Sequence, residues 1–233
     1  MNSSPARQPG GVIVSGGSSG LGAAVVSAVQ AAGGSPYVLD LKPPSVDVPY
    51  VAVDLADSRA AGIATRQLAE QAGTLTGVVT AAGMDVPGRL TDLSTEDWER
   101  IVAVNLFGTA AVVRAAVPYL ERTGGTVVTV ASTLGVKAVS DATAYCAAKF
   151  GVVGFTRALA AELAGSVGVT LIVPGGMKTA FFDQRDDRYK PPVDAPLNDP
   201  ANVAAAIVFA LGQPAGCAVR ELVICSTVES SYP

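Results

Sequence analysis

The chain has 233 residues, 49% hydrophobic and only 15% charged, with 16 Lys and Arg against 20 Asp and Glu for a net charge of -4. That length suits one sizeable domain, the apolar content suits a sheet buried on both faces, and the lack of a Lys/Arg run argues against nucleic acid as a partner. No histidine occurs, which removes Ser-His-Asp and Cys-His nucleophile systems and most transition-metal sites, and the three cysteines, at 146, 217 and 225, match no metal spacing and fit a reducing, cytoplasmic setting.

Residues 1–10 are polar, carry Pro5 and Pro9, lack the apolar core of a signal peptide and read as a flexible tail before one domain over 11–233. No continuous apolar run is long enough to suggest a membrane span. Residues 12–14 predict a first strand, followed by a glycine turn and a helix over 20–32. Strands follow at 37–39 and 50–53, a helix at 58–71 and a fourth strand at 77–80. Ser94 reads as a helix cap, with Asp97 where a capping box usually has Glu. The helix it opens runs to about 121, and Pro118 is expected to bend or end it. A fifth strand at 126–130, a helix at 143–163, a sixth strand at 169–173 stopped by Pro174-Gly175-Gly176, a helix at 202–211 and a strand at 222–224 complete the pattern. Strand–helix alternation of this kind predicts an α/β fold: a parallel sheet of about seven strands, helices on both faces, and ligand at the carboxyl ends of the strands.

Chemistry gathers at those strand ends. The turn Ser15-Gly16-Gly17-Ser18-Ser19-Gly20-Leu21-Gly22 lets backbone approach a pyrophosphate, with the N-terminus of the next helix facing the phosphates. Asp40, closing the second strand, suits the adenine ribose hydroxyls and would repel a 2′-phosphate, which favours NAD over NADP; the nearby Lys42 points the other way. Asp54, with Leu55, suits either an adenine contact or a helix N-cap. The small residues Ala81, Ala82 and Gly83 leave room across the end of the fourth strand. Tyr145 and Lys149 stand one helical turn apart, so phenol and ammonium share a face. A neighbouring Lys⁺ would lower the phenol pKa toward working pH and make Tyr145 an acid/base, although the same spacing also fits a packed Tyr and a surface Lys. Ser132, at the end of the fifth strand, can hydrogen-bond the same substrate oxygen. Asn105 is polar inside an apolar helical stretch and is expected to kink it or to hold a water linked to Lys149.

In this order, each at the matching end of its element, these motifs resemble the short-chain dehydrogenase/reductases over about 11–224. The resemblance implies a single doubly wound Rossmann domain and a catalytic tetrad of Asn105, Ser132, Tyr145 and Lys149, with Lys149 also on the nicotinamide ribose. It implies that Pro174, Gly175, Met177 and Thr179 line the cofactor, Met177 at the carboxamide and Thr179 at the pyrophosphate. It also implies a homodimer or homotetramer built on the helices near 98–121 and 144–164, with no nucleic acid, membrane or metal. The implied reaction is hydride transfer between NAD and a secondary alcohol or its carbonyl partner; the alternatives are an NADP-dependent carbonyl reductase, an epimerase that retains its nucleotide, and a non-catalytic nucleotide-binding regulator. Three departures stand out: Ser15 replaces the usual Thr, Thr80-Ala81 replaces a paired Asn, and the segment after the last strand lacks the usual glycine pair. Substrate choice is expected from 85–93, 134–142 and a lid over 178–200, with Phe181 and Phe182 covering an apolar substrate and Asp85 and Lys137 near the opening. The charges Asp183, Arg185, Asp186, Asp187 and Arg188 read as a solvated face.

Overall fold

The computed structural model describes residues 7–232; of the expected tail, residues 1–6 lie outside the described residues. The rest of it is tied to the body. The Arg7 guanidinium donates to the Thr123 and Gly124 carbonyls at 3.0 Å each, and the Gly10 N–H donates to Thr76 Oγ1 at 2.8 Å.

Seven strands form one parallel sheet: β1 (Gly11–Ser15), β2 (Ser35–Asp40), β3 (Tyr50–Ala52), β4 (Leu75–Thr80), β5 (Thr126–Val130), β6 (Gly168–Pro174) and β7 (Glu221–Ile224), in the order β3-β2-β1-β4-β5-β6-β7. The helices are α1 (Gly20–Ala31), α2 (Ser58–Ala72), α3 (Thr95–Val102), α4 (Thr109–Glu121), α5 (Thr143–Glu162) and α6 (Pro200–Leu211). Neighbouring residues of the central strands face opposite cores, as the two-residue period of a strand requires. Ile13, Val78 and Val127 pack under α2, α4 and α5, while Val12, Val14, Val79 and Val128 pack under α1 and α6. The chain runs outward from β1 to β3 and returns on the other side at β4. The order therefore reverses between β1 and β4, and the crevice of a doubly wound sheet opens there.

The long helix from Ser94 is less regular than its pattern predicts. A π-helical segment, Ala103–Gly108, separates α3 from α4. Its cause is Asn105, whose Nδ2 donates to the Ile101 carbonyl at 2.8 Å and so takes an acceptor that the helix ladder would otherwise use. Pro118 does not end the helix, which runs on to Glu121. The fully buried Leu120 pins that last turn, and its carbonyl accepts from Thr123 and Gly125. The combined helix, Thr95–Glu121, is long and apolar enough by composition to cross a membrane, but half of its most apolar window is buried against the sheet and α2.

Close backbone contacts explain two of the glycines at the turn. Gly16 has φ +73°, and a Cβ there would stand 2.6 Å from Ala82 Cα. A Cβ on Gly22 would stand 1.9 Å from the Gly16 carbonyl oxygen, so α1 lies directly on the turn. Gly22→Ala is therefore expected to cost about 1–3 kcal/mol of stability. Gly62→Ala, inside α2 where the nearest atom is Arg66 Nη1 at 3.6 Å, should gain about 0.5–1 kcal/mol. Thermal unfolding of the two variants checks the contrast, and equal shifts in Tm would contradict it.

Candidate active site

A cavity of about 540 Å³ opens along the carboxyl ends of the strands, from the glycine turn to the lid. Ser19, Gly20 and Leu21 line one end. Ser19 caps α1 without a side-chain hydrogen bond and no acidic residue occupies the first turn, so the positive end of the helix faces the cavity uncompensated. Thr179 stands across from Gly20, 3.5 Å from where a Cβ would sit. Asp40 lines the same end, and its carboxylate accepts from the Ser18 N–H at 3.0 Å and the Lys42 N–H at 3.3 Å. Ser18 is spent on this support: its hydroxyl donates to the Lys42 carbonyl.

Asp54 and Leu55 also line the cavity, and Asp57, not Asp54, caps α2. Asp54 accepts from the Ala56 N–H and pairs with Arg100 Nη2 at 2.9 Å. Burial alone would raise its pKa, but the Ala56 N–H and the Arg100 guanidinium outweigh this and hold the carboxyl below its usual value. Ala81, Ala82, Gly83, Pro174, Gly175 and Met177 form the floor and far wall. Ser15, Ser18, Gly22 and Asn105 stand behind the lining rather than in it.

Tyr145 and Lys149 lie on one face of α5, both buried, with Lys149 Nζ 5.5 Å from the centre of the phenol ring. The packed-Tyr, surface-Lys alternative is thereby excluded. Lys149 donates to the Val130 carbonyl at 3.0 Å, and burial pushes its pKa down to about 8. Burial also pushes the Tyr145 phenol well above its ordinary value, opposite to the lowering that the sequence predicts. The Ser132 hydroxyl works against this, Asp85 adds to it and Arg185 opposes it. Ser132 caps the short turn Thr133–Gly135, accepting from the Leu134 N–H at 3.1 Å. Asn105 is fully buried; its Nδ2 donates to the Met84 and Ile101 carbonyls, while its Oδ1 has no protein partner. That oxygen and Lys149 Nζ both face Gly83, at 2.9 and 3.7 Å from where a Cβ would be.

The lid departs from expectation at Arg185. Asp183, Asp186, Asp187 and Arg188 are exposed, but Arg185 turns inward, lines the cavity and pairs with Asp85 at 2.8 Å. Its guanidinium lies 5.0 Å from the Phe181 ring centre and 4.7 Å from that of Phe182, and Phe181 in turn lies 5.9 Å from Tyr145. Asp85 is thus buried under the lid rather than open to solvent, while Lys137 reaches away to the Ser230 carbonyl at 3.1 Å. Asp141, left-handed at φ 59°, ties the lid to the loop after β4: its carboxylate accepts from the Tyr189 hydroxyl and its carbonyl from the Gly88 N–H.

Sequence reasoning missed several lining residues, among them Arg100, Glu229 and Ser231. The two in the tail were faintly visible, because Glu229 is the only charged residue after Glu221. Glu229 accepts from the Gly176 N–H at 3.0 Å, the Ser231 N–H at 3.0 Å and the Ser231 hydroxyl at 2.7 Å. Ser231 Oγ also bonds Thr133 Oγ1 at 2.7 Å, so the tail is laced to the residue that follows Ser132.

Comparison with known proteins identifies the family and the fold. The family model described as short chain dehydrogenase matches residues 11–190. The chain is 32% identical to a D-threitol dehydrogenase of Mycolicibacterium smegmatis over 217 residues, covering 84% of each. It is 28% identical to an L-fucose dehydrogenase of Mus musculus, covering 95% of this chain and 89% of that one. An uncharacterized oxidoreductase of Staphylococcus aureus is 34% identical, and there the match spans 64% of the relative. Among solved structures, an alcohol dehydrogenase of Thermococcus sibiricus complexed with 5-hydroxy-NADP shares the fold with a TM-score of 0.83 at 22% identity, covering 94% of this chain and 97% of that one. A ligand-free aldohexose dehydrogenase of Thermoplasma acidophilum shares it at 0.85 and 21% identity, covering 94% and 93%. The chain belongs to the short-chain dehydrogenase family of oxidoreductases.

Proposed function

We propose that the protein is an NAD-dependent oxidoreductase that interconverts a secondary alcohol and its carbonyl compound, with Tyr145 as the acid/base. The observation that carries this reading is the buried Tyr145–Lys149 pair in the wall of a cavity that begins at the glycine turn. A nicotinamide dinucleotide bound along that cavity supplies the hydride acceptor for the alcohol, or the donor for the carbonyl. The residues fit it: an open helix N-terminus and Thr179 for the pyrophosphate, Asp40 for the ribose, Asp54 and Leu55 for the adenine, and Met177 for the carboxamide. Asp40 takes only backbone N–H groups and, among the described residues, forms no ion pair, so its charge faces a 2′-phosphate unneutralised. This favours NAD over NADP.

In reduction, the Tyr145 hydroxyl donates to the carbonyl oxygen and the Ser132 hydroxyl shares the developing charge. In oxidation, the phenolate takes the alcohol proton. Burial resists the phenolate, and the Lys149 ammonium and the Ser132 hydroxyl favour it. Asn105 Oδ1, an acceptor without a protein partner beside Lys149, suits one end of a water relay to solvent. Oxidation should accordingly quicken, and reduction slow, as pH rises. The relatives' names, dehydrogenases of threitol and fucose, support an alcohol as substrate. A catalytically silent nucleotide-binding regulator would have no use for a buried Lys149 beside Tyr145. For partners we propose a second copy of this chain, in a homodimer or homotetramer in the cytoplasm, supported by Phe107 and Phe150, which stand exposed on the helices expected to form that interface.

Titration with NADH and NADPH tests the cofactor assignment. NADH should bind at least about tenfold tighter, as one to two charge-assisted hydrogen bonds allow, and Asp40→Ala should erase the difference. Tighter NADPH binding would contradict it. Lys149 provides a second test. Its folded pKa of about 8 lies below the usual 10.5, so the buried charge destabilises the fold fully below pH 8, and the penalty fades as pH climbs toward 10.5. Lys149→Met should therefore raise Tm at pH 7 by several degrees, at about 2–4 °C per kcal/mol for a domain of this size. The gain should shrink between pH 8 and 10.5; a loss of stability at every pH would show that the charge is not buried at a cost.

A further inference from the structure

The cavity wall carries two further charged groups that the proposed chemistry leaves unused. From the lid comes Arg185. It spends Nη2 on Asp85, its Nε is buried without a partner, and its guanidinium lies against the rings of Phe181 and Phe182. From the tail after β7 comes Glu229, held by the Gly176 and Ser231 N–H groups and the Ser231 hydroxyl. Those donors, set against burial, hold its carboxyl below the usual range, so it is an anion at neutral pH. Oε1 accepts both Ser231 bonds and Oε2 only the Gly176 N–H, so Oε2 keeps one free acceptor site.

The charges sum to a sign. Arg185 is neutralised by Asp85 and Glu229 adds a negative charge, while Lys149, the cation beside Tyr145, donates to the Val130 carbonyl and is assigned to the proton chemistry. A carboxylate, phosphate or sulfonate beside Arg185 and Glu229 would meet a guanidinium already paired with Asp85 and a second carboxylate, and would be repelled. A plain hydrocarbon alcohol would leave the exposed part of Arg185 and the free acceptor site of Glu229 Oε2 without partners once water is excluded, which is costly. A neutral molecule bearing several hydroxyls satisfies both, since a hydroxyl both donates and accepts. Its C–H faces can lie on Phe181 and Phe182. We propose, building on the oxidoreductase reading above, that the substrate is a neutral polyhydroxylated alcohol, a polyol or sugar, with one non-reacting hydroxyl accepting from Arg185 and another donating to Glu229. Asp85 is then a positioning residue that neutralises Arg185 and so excludes anions.

The experiment is a substrate panel with NAD and with NADP. It comprises four- to six-carbon polyols and free sugars, secondary mono-alcohols, and 2-hydroxy acids of the same carbon lengths. A polyol or sugar should show the highest kcat/KM. The ratio of its kcat/KM to that of the matched mono-alcohol, taken within one protein so that effects on folding and cofactor cancel, should fall about tenfold to a hundredfold in Glu229→Gln and in Arg185→Met, the range that a hydrogen bond to a charged group carries. Asp85→Asn should raise the relative rate with hydroxy acids. A mono-alcohol or hydroxy acid as best substrate, or a ratio unmoved in both variants, overturns the inference and leaves the oxidoreductase reading standing. Turnover of no class with either cofactor overturns both.

Discussion

The placement of one buried ammonium governs the site. Lys149 lies inside the protein with a single described hydrogen bond, to the Val130 carbonyl, and no carboxylate pairs with it among the described residues. A charge in that position is unfavourable and survives only where the surrounding fold is strong enough to hold it. The fold is strong here because α5 packs against β5 and β6, and residues such as Val152, Val153 and Leu171 are sealed from solvent. The same helix turn carries Tyr145 to the cavity wall, so the phenol and the ammonium are set by one element and cannot drift apart.

The groups around this pair come from elements that meet only at the carboxyl edge of the sheet. Ser132 leaves the end of β5, Asn105 reaches in from the π-helical segment, and Phe181 and Arg185 close over from the lid. Two of them are positioned by backbone bonding as much as by packing: Ser132 by the Leu134 N–H, Asn105 by two carbonyls. Thr80 has no such support, for its hydroxyl is buried without a partner at the strand end where the family's paired Asn usually stands. That departure leaves the edge of β4 less braced, while the Asn105 bond to the Met84 carbonyl holds the chain a few residues further on.

What the sequence made legible was whatever period and spacing encode. Both faces of the central strands are buried, so their apolar runs are continuous, and each of the seven strands lies within a residue or two of its expected place. The glycine turn and the Tyr145–Lys149 spacing are local and survived for the same reason. Long-range pairings were not legible. Arg185 sits among four exposed charges and looks like one of them; only the fold brings it to Asp85 across the cavity. Glu229 gained its role because the tail turns back onto Gly176 and Thr133, a path that no local propensity records. The phenol pKa was misjudged on the same ground, since proximity of a lysine can be read from spacing whereas depth of burial cannot. Pro118 is the converse case: it does not end the helix, which keeps its expected reach to Glu121 with Leu120 fully buried in the last turn.

The central claim is that the Tyr145 oxygen carries the proton of the reaction. The most direct measurement compares single-turnover rates of wild type and Tyr145→Phe with saturating cofactor, alongside the NADH affinity of each. A loss of about a hundredfold or more in the chemical step, with NADH affinity within a few fold, is the predicted result for a general acid/base. A Phe variant that turns over like wild type would contradict the account, because Lys149, Ser132 and Asn105 would then be gathered around a proton that the enzyme does not move through Tyr145.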